Sequence, residues 1–470
     1  MLPLVEIPEI VAHYAPFFSE VFSPEALAQF KRYLSGLIVS ENKTVDGINR
    51  LFVVDTRNQS SLNRLLGESP FSTAALNQAR LECLWHLPGT QVKPEGVISV
   101  DDTLLSHYGQ HFEQLAKLFD PVSQSYVWAH NLVNLHYSDD QTDYPLAFQL
   151  WQPARVETLE AGLKAAGVRL RASKYPLQQS DPVKWRAYLV GVWARHQQEP
   201  EVQKVYQSKL LLAQQQLTAL FTSYPQLHHL PVTFDAWYTQ APFCRFLNDQ
   251  LQVAYVGTLK GEAELVLADG PKRLEAFADQ LKEEHLQAVN EGRKPVFQST
   301  TIPYKGSKET YYSYCHTHRL KGFGRLRLVI NYQQADLSDT PRFFLSNRTR
   351  WQAYNLTRIR RHRWPVEVYH EEGKADGLAQ YQVRRFEAIG KHIALVAVTY
   401  SLLRAAPHDQ VLLRRLRQNV HTTLDGSAGS GRRNTQAQAL WALAGFIQAA
   451  LVQGQTLKQA MRPLLAAVAY

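Results

Sequence analysis

The sequence predicts an α/β fold, a mixed-sheet core interrupted by a β-rich insertion, with helical regions at both ends of the chain. Three observations point there. Helix caps and 3.6-residue apolar spacing fill roughly the first 90 residues, short strand-like apolar runs begin after Gly96, and two of those runs end at aspartates.

Ser23-Pro24-Glu25 reads as a serine cap with proline at the first helical position, and Leu27, Phe30, Leu34 and Leu37 follow at helical spacing. A second helix is expected near Ser72–Leu87. Asn42–Arg50 and Asn58–Arg64 set polar and basic residues between helical segments. Residues 1–92 therefore read as a helical DNA-binding domain, with a helical cap on the main domain as the alternative.

After Gly96, Val97-Ile98-Ser99-Val100 is a buried strand that delivers Asp101-Asp102-Thr103. Ser125–Tyr137 and Tyr144–Trp151 are further strands, separated by the turn-forming Ser138–Thr142, and together the three suggest an antiparallel meander. Helices follow near Asp181–Ala194 and Val202–Phe221. Leu230–Phe234 is a strand ending at Asp235, Ala241–Gln250 a helix and Val253–Thr258 another strand. The order β-β-β-α-β-α-β, with acids ending two strands, is the layout of a ribonuclease H-like core, in which crossover helices bring such acids to one edge of the sheet.

Residues 259–350 interrupt that order as the β-rich insertion, with a helix over Leu274–Val289 and strands over Thr310–His316, Arg325–Asn331 and Arg342–Ser346. The core divides into residues 93–258 and 351–424, the second part containing a buried helix over Ile389–Arg404. In the last region, 425–470, Asp425–Gly431 reads as a flexible linker before a helical pair over Thr435–Ala467.

Apolar residues make up 45% of the 470 and charged residues 20%, which excludes a disordered chain. The net charge of +9 favours a polyanionic partner such as nucleic acid. Three widely spaced cysteines, Cys83, Cys244 and Cys315, predict a reducing compartment without a disulfide framework. Cys315, His316 and His318 lack the paired spacing of a metal site. No signal peptide or membrane span is expected, and the protein reads as cytoplasmic.

Arg358–Leu378, RIRRHRWPVEVYHEEGKADGL, is the most charged stretch. Arg360, Arg363, Glu367 and Lys374 share one stripe at about 100° per residue, although Pro365 can split the helix between Arg363 and Glu367. Glu371 is a rival carboxylate on the same face, as Asp101 is to Asp102. Brought together by the fold, Asp102, Asp235 and Glu367 would repel one another unless cations neutralised them, and hard oxygen donors suit Mg²⁺ or Mn²⁺. Such a site carries out in-line phosphoryl transfer, with Arg363 and Lys374 holding phosphate oxygens.

Arg363-Trp364-Pro365-Val366-Glu367-Val368-Tyr369-His370, followed by Lys374, resembles the Tyr–Arg–Glu–Lys signature of DDE transposases from bacterial insertion sequences. In that signature an arginine stands four positions before the catalytic glutamate and a lysine seven after it, the spacing of Arg363 and Lys374 about Glu367. Arg360 replaces the signature tyrosine. Asp101-Asp102-Thr103 looks like the first-acid motif of the family, with Asp102 directly before the threonine, and Phe234-Asp235-Ala236-Trp237-Tyr238 looks like the second. The resemblance covers roughly residues 95–405.

The resemblance implies that Asp102, Asp235 and Glu367 bind Mg²⁺, for which Mn²⁺ substitutes. It implies a homodimer that binds the terminal inverted repeats of its own element, cuts both strands and joins the 3′ ends to target DNA. Arg348, Arg350, Arg358, Arg360 and Arg361 would contact the DNA backbone, and Tyr304, Tyr311 and Tyr312 would stack on an unpaired base. The other readings are a transposase-derived DNA-binding or architectural protein without catalysis and a ribonuclease H-like nuclease without strand transfer.

Overall fold

Apolar runs too uniform to alternate predict strands covered on both faces, and the computed structural model, which describes residues 2–419 and 424–468, buries them that way. Strands β1 (Val97–Ser106), β2 (Ala116–Asp120), β3 (Ser125–Ser138) and β4 (Asp143–Trp151) form the meander, with β2 as an additional short strand beside β3. β5 (Val232–Phe234) and β6 (Tyr255–Leu259) are parallel to β1. The order β4-β3-β1-β5-β6 is the predicted ribonuclease H-like layout.

The insertion continues this sheet. It contains β7 (Glu264–Leu267), β8 (Gly270–Arg273), the helix Leu274–Asn290, β9 (Gln298–Tyr304), β10 (Ser307–Leu320), β11 (Gly324–Tyr332) and β12 (Arg342–Ser346). β12 pairs antiparallel with β6, so one sheet of 12 strands runs from the core through the insertion.

Helices cover both faces. α1 (Pro24–Val39) has Ser23 as its cap, its Oγ accepting from the Ala26 amide, and α2 (Thr73–His86) is capped by Ser72 in the same way. Both pack on a later core helix, Phe386–Ala405, and share the sheet's hydrophobic core. Arg80 of α2 is fully buried, donating to Ser401 Oγ and the Pro145 carbonyl. The N-terminal helices and the sheet thus share one hydrophobic core.

α3 (Lys209–Ser223) crosses the β3–β4 face. The helices Val156–Ala165 and Pro182–His196 instead gather around Trp185 and Trp193 in a small satellite core. α4 (Ala353–Arg361) and α5 (Trp364–Ala375) carry the charged stretch, broken at His362-Arg363 and restarted with Pro365 in the first turn. The single predicted stripe is therefore two helices. α6 (Phe386–Ala405) lies buried behind them; the helical run Phe386–His408 is long and apolar enough to cross a membrane, yet it is the packed centre of this core.

The expected linker at 425–431 is mostly helix. α7 (Ala428–Val452) starts there, with Ser427 as a cap that accepts from the Ser430 amide. Gly431 faces α6 so closely that a Cβ would come within 2.7 Å of Leu403 Cδ2. Small residues that look like a flexible tether serve here as a close helix contact.

Candidate active site

Strand alternation decides which acids meet. Ser99 and Asp101 of β1 face α4 and α5, and Ser99 Oγ donates to the His362 carbonyl. Asp102 faces the opposite side. There its carboxylate accepts from Lys209 Nζ at 2.9 Å, Asn131 Nδ2 at 2.6 Å and the Tyr238 hydroxyl at 2.9 Å. Lys209 also lies 4.1 Å over the Trp237 ring. Asp102 is thus neutralised and hydrogen-bonded away from Glu367.

Asp101 faces Glu367. Arg363, buried at 7% exposure, donates one guanidinium nitrogen to Asp101 and the other to Glu367. Val100 of β1 pairs with Phe234 of β5 in parallel register, so Asp101 and Asp235, each one residue further on, stand side by side. Asp235 Oδ1 accepts from the Trp237 and Tyr238 amides, which fixes it at the strand end. Burial pushes the Asp101 carboxyl up to about 7, with Asp235 and Asp102 adding to the shift and Arg363 opposing it. The sequence expectation names Asp102 as the first acid and Asp101 as its rival, and it is Asp101 that lies on the side of Arg363 and Glu367. The structure brings together Asp101, Asp235 and Glu367 and directs Asp102 elsewhere.

Among the described residues no group of three or more His, Cys, Asp or Glu is drawn close enough to hold a metal; the Arg363 guanidinium instead joins two of the carboxylates. Beside Glu367 opens a cavity of about 730 Å³, with Arg342, Arg360, Asn331 and Trp364 in its wall. Arg360 donates to Thr258 Oγ1 at 2.7 Å; burial, with Arg363 and Arg342, lowers its pKa to about 9 against the pull of Asp101 and Asp235. His370 accepts from Asn134 Nδ2 at 2.9 Å and is held neutral by burial. Lys374 is exposed and makes no ion pair among the described residues.

The other predicted DNA contacts divide. Arg350 is exposed, Arg358 donates to the Glu95 carbonyl at 2.7 Å, and Arg361 forks onto Glu309 while lying 3.8 Å over the Tyr304 ring. Arg361 is therefore spent inside the protein. Tyr304 and Tyr311 are buried, the latter donating to Glu309, so neither is available to stack on a base; the exposed rings here are Trp364 and Trp237.

A family profile described as DDE superfamily endonuclease matches residues 16–276, more than half of the chain, including Asp101 and Asp235. The chain belongs to the DDE superfamily endonucleases. Family membership makes it a nuclease- or transposase-type enzyme whose substrate is DNA, in a superfamily that generally uses divalent metals. Glu367 lies outside the matched residues, and its place in the site rests on Arg363. No curated protein matches the chain.

A buried polar hub fixes the endonuclease's insertion against this site. Asp143, 2% exposed, accepts from the Tyr400 hydroxyl at 2.6 Å and Lys305 Nζ at 3.0 Å, and pairs with Arg404 and His136. Burial works against its charge, but Arg404, Lys305 and His136 hold the carboxyl well below the usual range. Lys305 sits at the tip of the β9–β10 hairpin, whose Tyr304 and Glu309 clasp Arg361 two residues before Arg363. Asp143→Asn, leaving the largely buried Arg404 short of its partner, is expected to cost roughly 3–5 kcal/mol in urea unfolding at pH 7. Because the Asp143 pKa is depressed, its contribution is present above the unfolded value of about 3.9 and is lost as pH falls through the folded value.

Proposed function

We propose that this endonuclease is a DNA transposase that binds the ends of its own element, cleaves them and transfers the 3′ ends to target DNA. The observation that carries the reading is the register that sets Asp101 beside Asp235 at the sheet edge, with Arg363 joining Asp101 to Glu367. The donor set fits a hard divalent cation: three carboxylates against two guanidiniums leave negative charge unbalanced, and Asp235 adds to the upward shift that burial gives the Asp101 carboxyl. Asp101, Asp235 and Glu367 would hold Mg²⁺ or Mn²⁺, which when bound supplies an activated attacking oxygen and stabilises the leaving one.

The protein's own groups supply the rest. Arg363 and Arg360 present planar forks suited to non-bridging phosphate oxygens, and exposed Lys374 offers a point charge. Asp102 acts as a structural partner of Lys209, tying β1 to α3. The likeness to insertion-sequence transposases supports a homodimer acting on terminal inverted repeats.

The test is cleavage by the purified full chain of DNA carrying the flanks of its gene. Defined breaks with Mg²⁺ that vanish with EDTA, Asp235→Ala or Glu367→Ala, and 3′ ends joined to a second plasmid, are expected. Binding without breaks would contradict catalysis, and breaks without joining would make the enzyme a nuclease.

A further inference from the structure

A second cavity, of about 570 Å³, lies between β9, β10 and the first turn of α4, and it contains no carboxylate in its lining. Four features give it a positive, anion-seeking character. Arg327 reaches it from β11, giving Nε to Cys315 Sγ at 3.1 Å and Nη1 to Thr317 Oγ1 at 3.4 Å. Its Nη2 has no partner, and the guanidinium no acidic counter-charge, among the described residues. Gln352, Ala353 and Tyr354 line the same cavity; a capping box takes up the amides of Gln352 and Asn355, which leaves those of Ala353 and Tyr354 without an intrahelical acceptor.

The fourth feature is an orphan. Ser313, 4% exposed, lines the cavity from β10, and its hydroxyl has no hydrogen-bond partner among the described residues. A buried hydroxyl without a partner costs about 1–3 kcal/mol, a cost that an acceptor oxygen bound in the cavity would offset. A guanidinium, helix amides and a hydroxyl converging without a carboxylate are the donors that recognise a phosphate.

We infer that this cavity binds a backbone phosphate of the DNA substrate. The inference rests on the proposed DNA-cleaving function and adds a site to it. The source is a DNA strand because exposed Arg348 and Arg350 stand just before α4, whose first turn lines the cavity, while the other end of α4 sets Arg360 within electrostatic reach of Asp101 and Asp235. Nine residues of helix separate the two ends, about 14 Å. That length exceeds the spacing of adjacent charges on one DNA strand, about 3.4 Å along the helix axis, so the two ends of α4 reach different phosphates. A phosphate held here would set the register of the strand at the acids and carry no sequence choice.

The test measures binding of the full chain to a labelled duplex from the flanks of its gene, by anisotropy in EDTA over a series of salt concentrations. Arg327→Gln is expected to weaken binding on the order of tenfold and to make the salt dependence shallower by about 0.9 in log–log slope, one phosphate's worth. Since Arg327→Gln also removes the Cys315 contact, Gln298→Glu serves as the second variant: it places a carboxylate on the exposed rim and should weaken binding in the same direction. Cys315 is a local reporter, half-buried in the cavity while Cys83 and Cys244 are buried. Duplex DNA should slow its alkylation, and inorganic phosphate at millimolar concentration should not. Wild-type affinity and slope in both variants would overturn the inference while leaving the function standing. Protection by inorganic phosphate with unchanged DNA binding would overturn DNA as the source. Failure of the wild type to bind DNA at all would overturn the proposed function and this site together.

Discussion

Asp101→Asn is expected to abolish metal-dependent DNA cleavage, with activity falling by roughly three orders of magnitude or more, whereas Asp102→Asn is expected to retain cleavage to within about tenfold. The difference follows from strand geometry: Asp101 faces Arg363 and Glu367, and Asp102 is held by Lys209, Asn131 and Tyr238 on the other face. The two variants also separate in stability. The folded pKa of Asp101 is about 7, above the unfolded value, so its ionisation opposes folding and the metal-free protein loses stability as pH rises from about 4 to about 7. Asp101→Asn removes that cost, and the variant should unfold later at pH 8 without metal, by on the order of 2 kcal/mol. Asp102→Asn strips a partner from Lys209 and should unfold earlier. Cleavage assays and urea unfolding on the same preparations check both halves.

Arg363→Ala carries the second large effect. Among the described residues the guanidinium is the one cation that touches both Asp101 and Glu367, and it is buried. Its removal leaves buried Asp101 and partly exposed Glu367 without their shared cation, at a cost on the order of 1–3 kcal/mol in metal-free unfolding. Millimolar Mg²⁺ should recover part of that loss in the variant and give a smaller gain in the wild type, because a cation binding only the folded state stabilises it. Equal Mg²⁺ gains in both proteins would mean that Arg363 and the metal do not share the same carboxylates. Cleavage by the variant should remain impaired with Mg²⁺ present, since the phosphate fork is gone.

The sequence made the architecture legible because its punctuation is local. Serine caps, proline at helix starts and apolar runs bounded by turns place α1, α2 and most strands to within a few residues. The spacing of Arg363 and Glu367 identified the pair that meets in the folded protein. What stayed hidden depends on long-range packing. A strand covered on both faces does not alternate, so Val97–Val100 gave no sign of whether Asp101 or Asp102 looks toward α5. The side of β1 is set by α3, which brings Lys209 from 107 positions away. Arg361 is as basic as its neighbours, but the distant hairpin bearing Glu309 and Tyr304 absorbs it. Gly431 looked like linker because a close helix contact and a tether draw on the same small residues.

Diffraction from crystals grown with Mn²⁺ tests the central claim most directly, because the anomalous signal locates the metal without reference to activity. The account predicts a peak in contact with the carboxylates of Asp101, Asp235 and Glu367, with Arg363 turned away from at least one of them. A peak bound by Asp102, or no peak at the edge where β1 and β5 end, would contradict it.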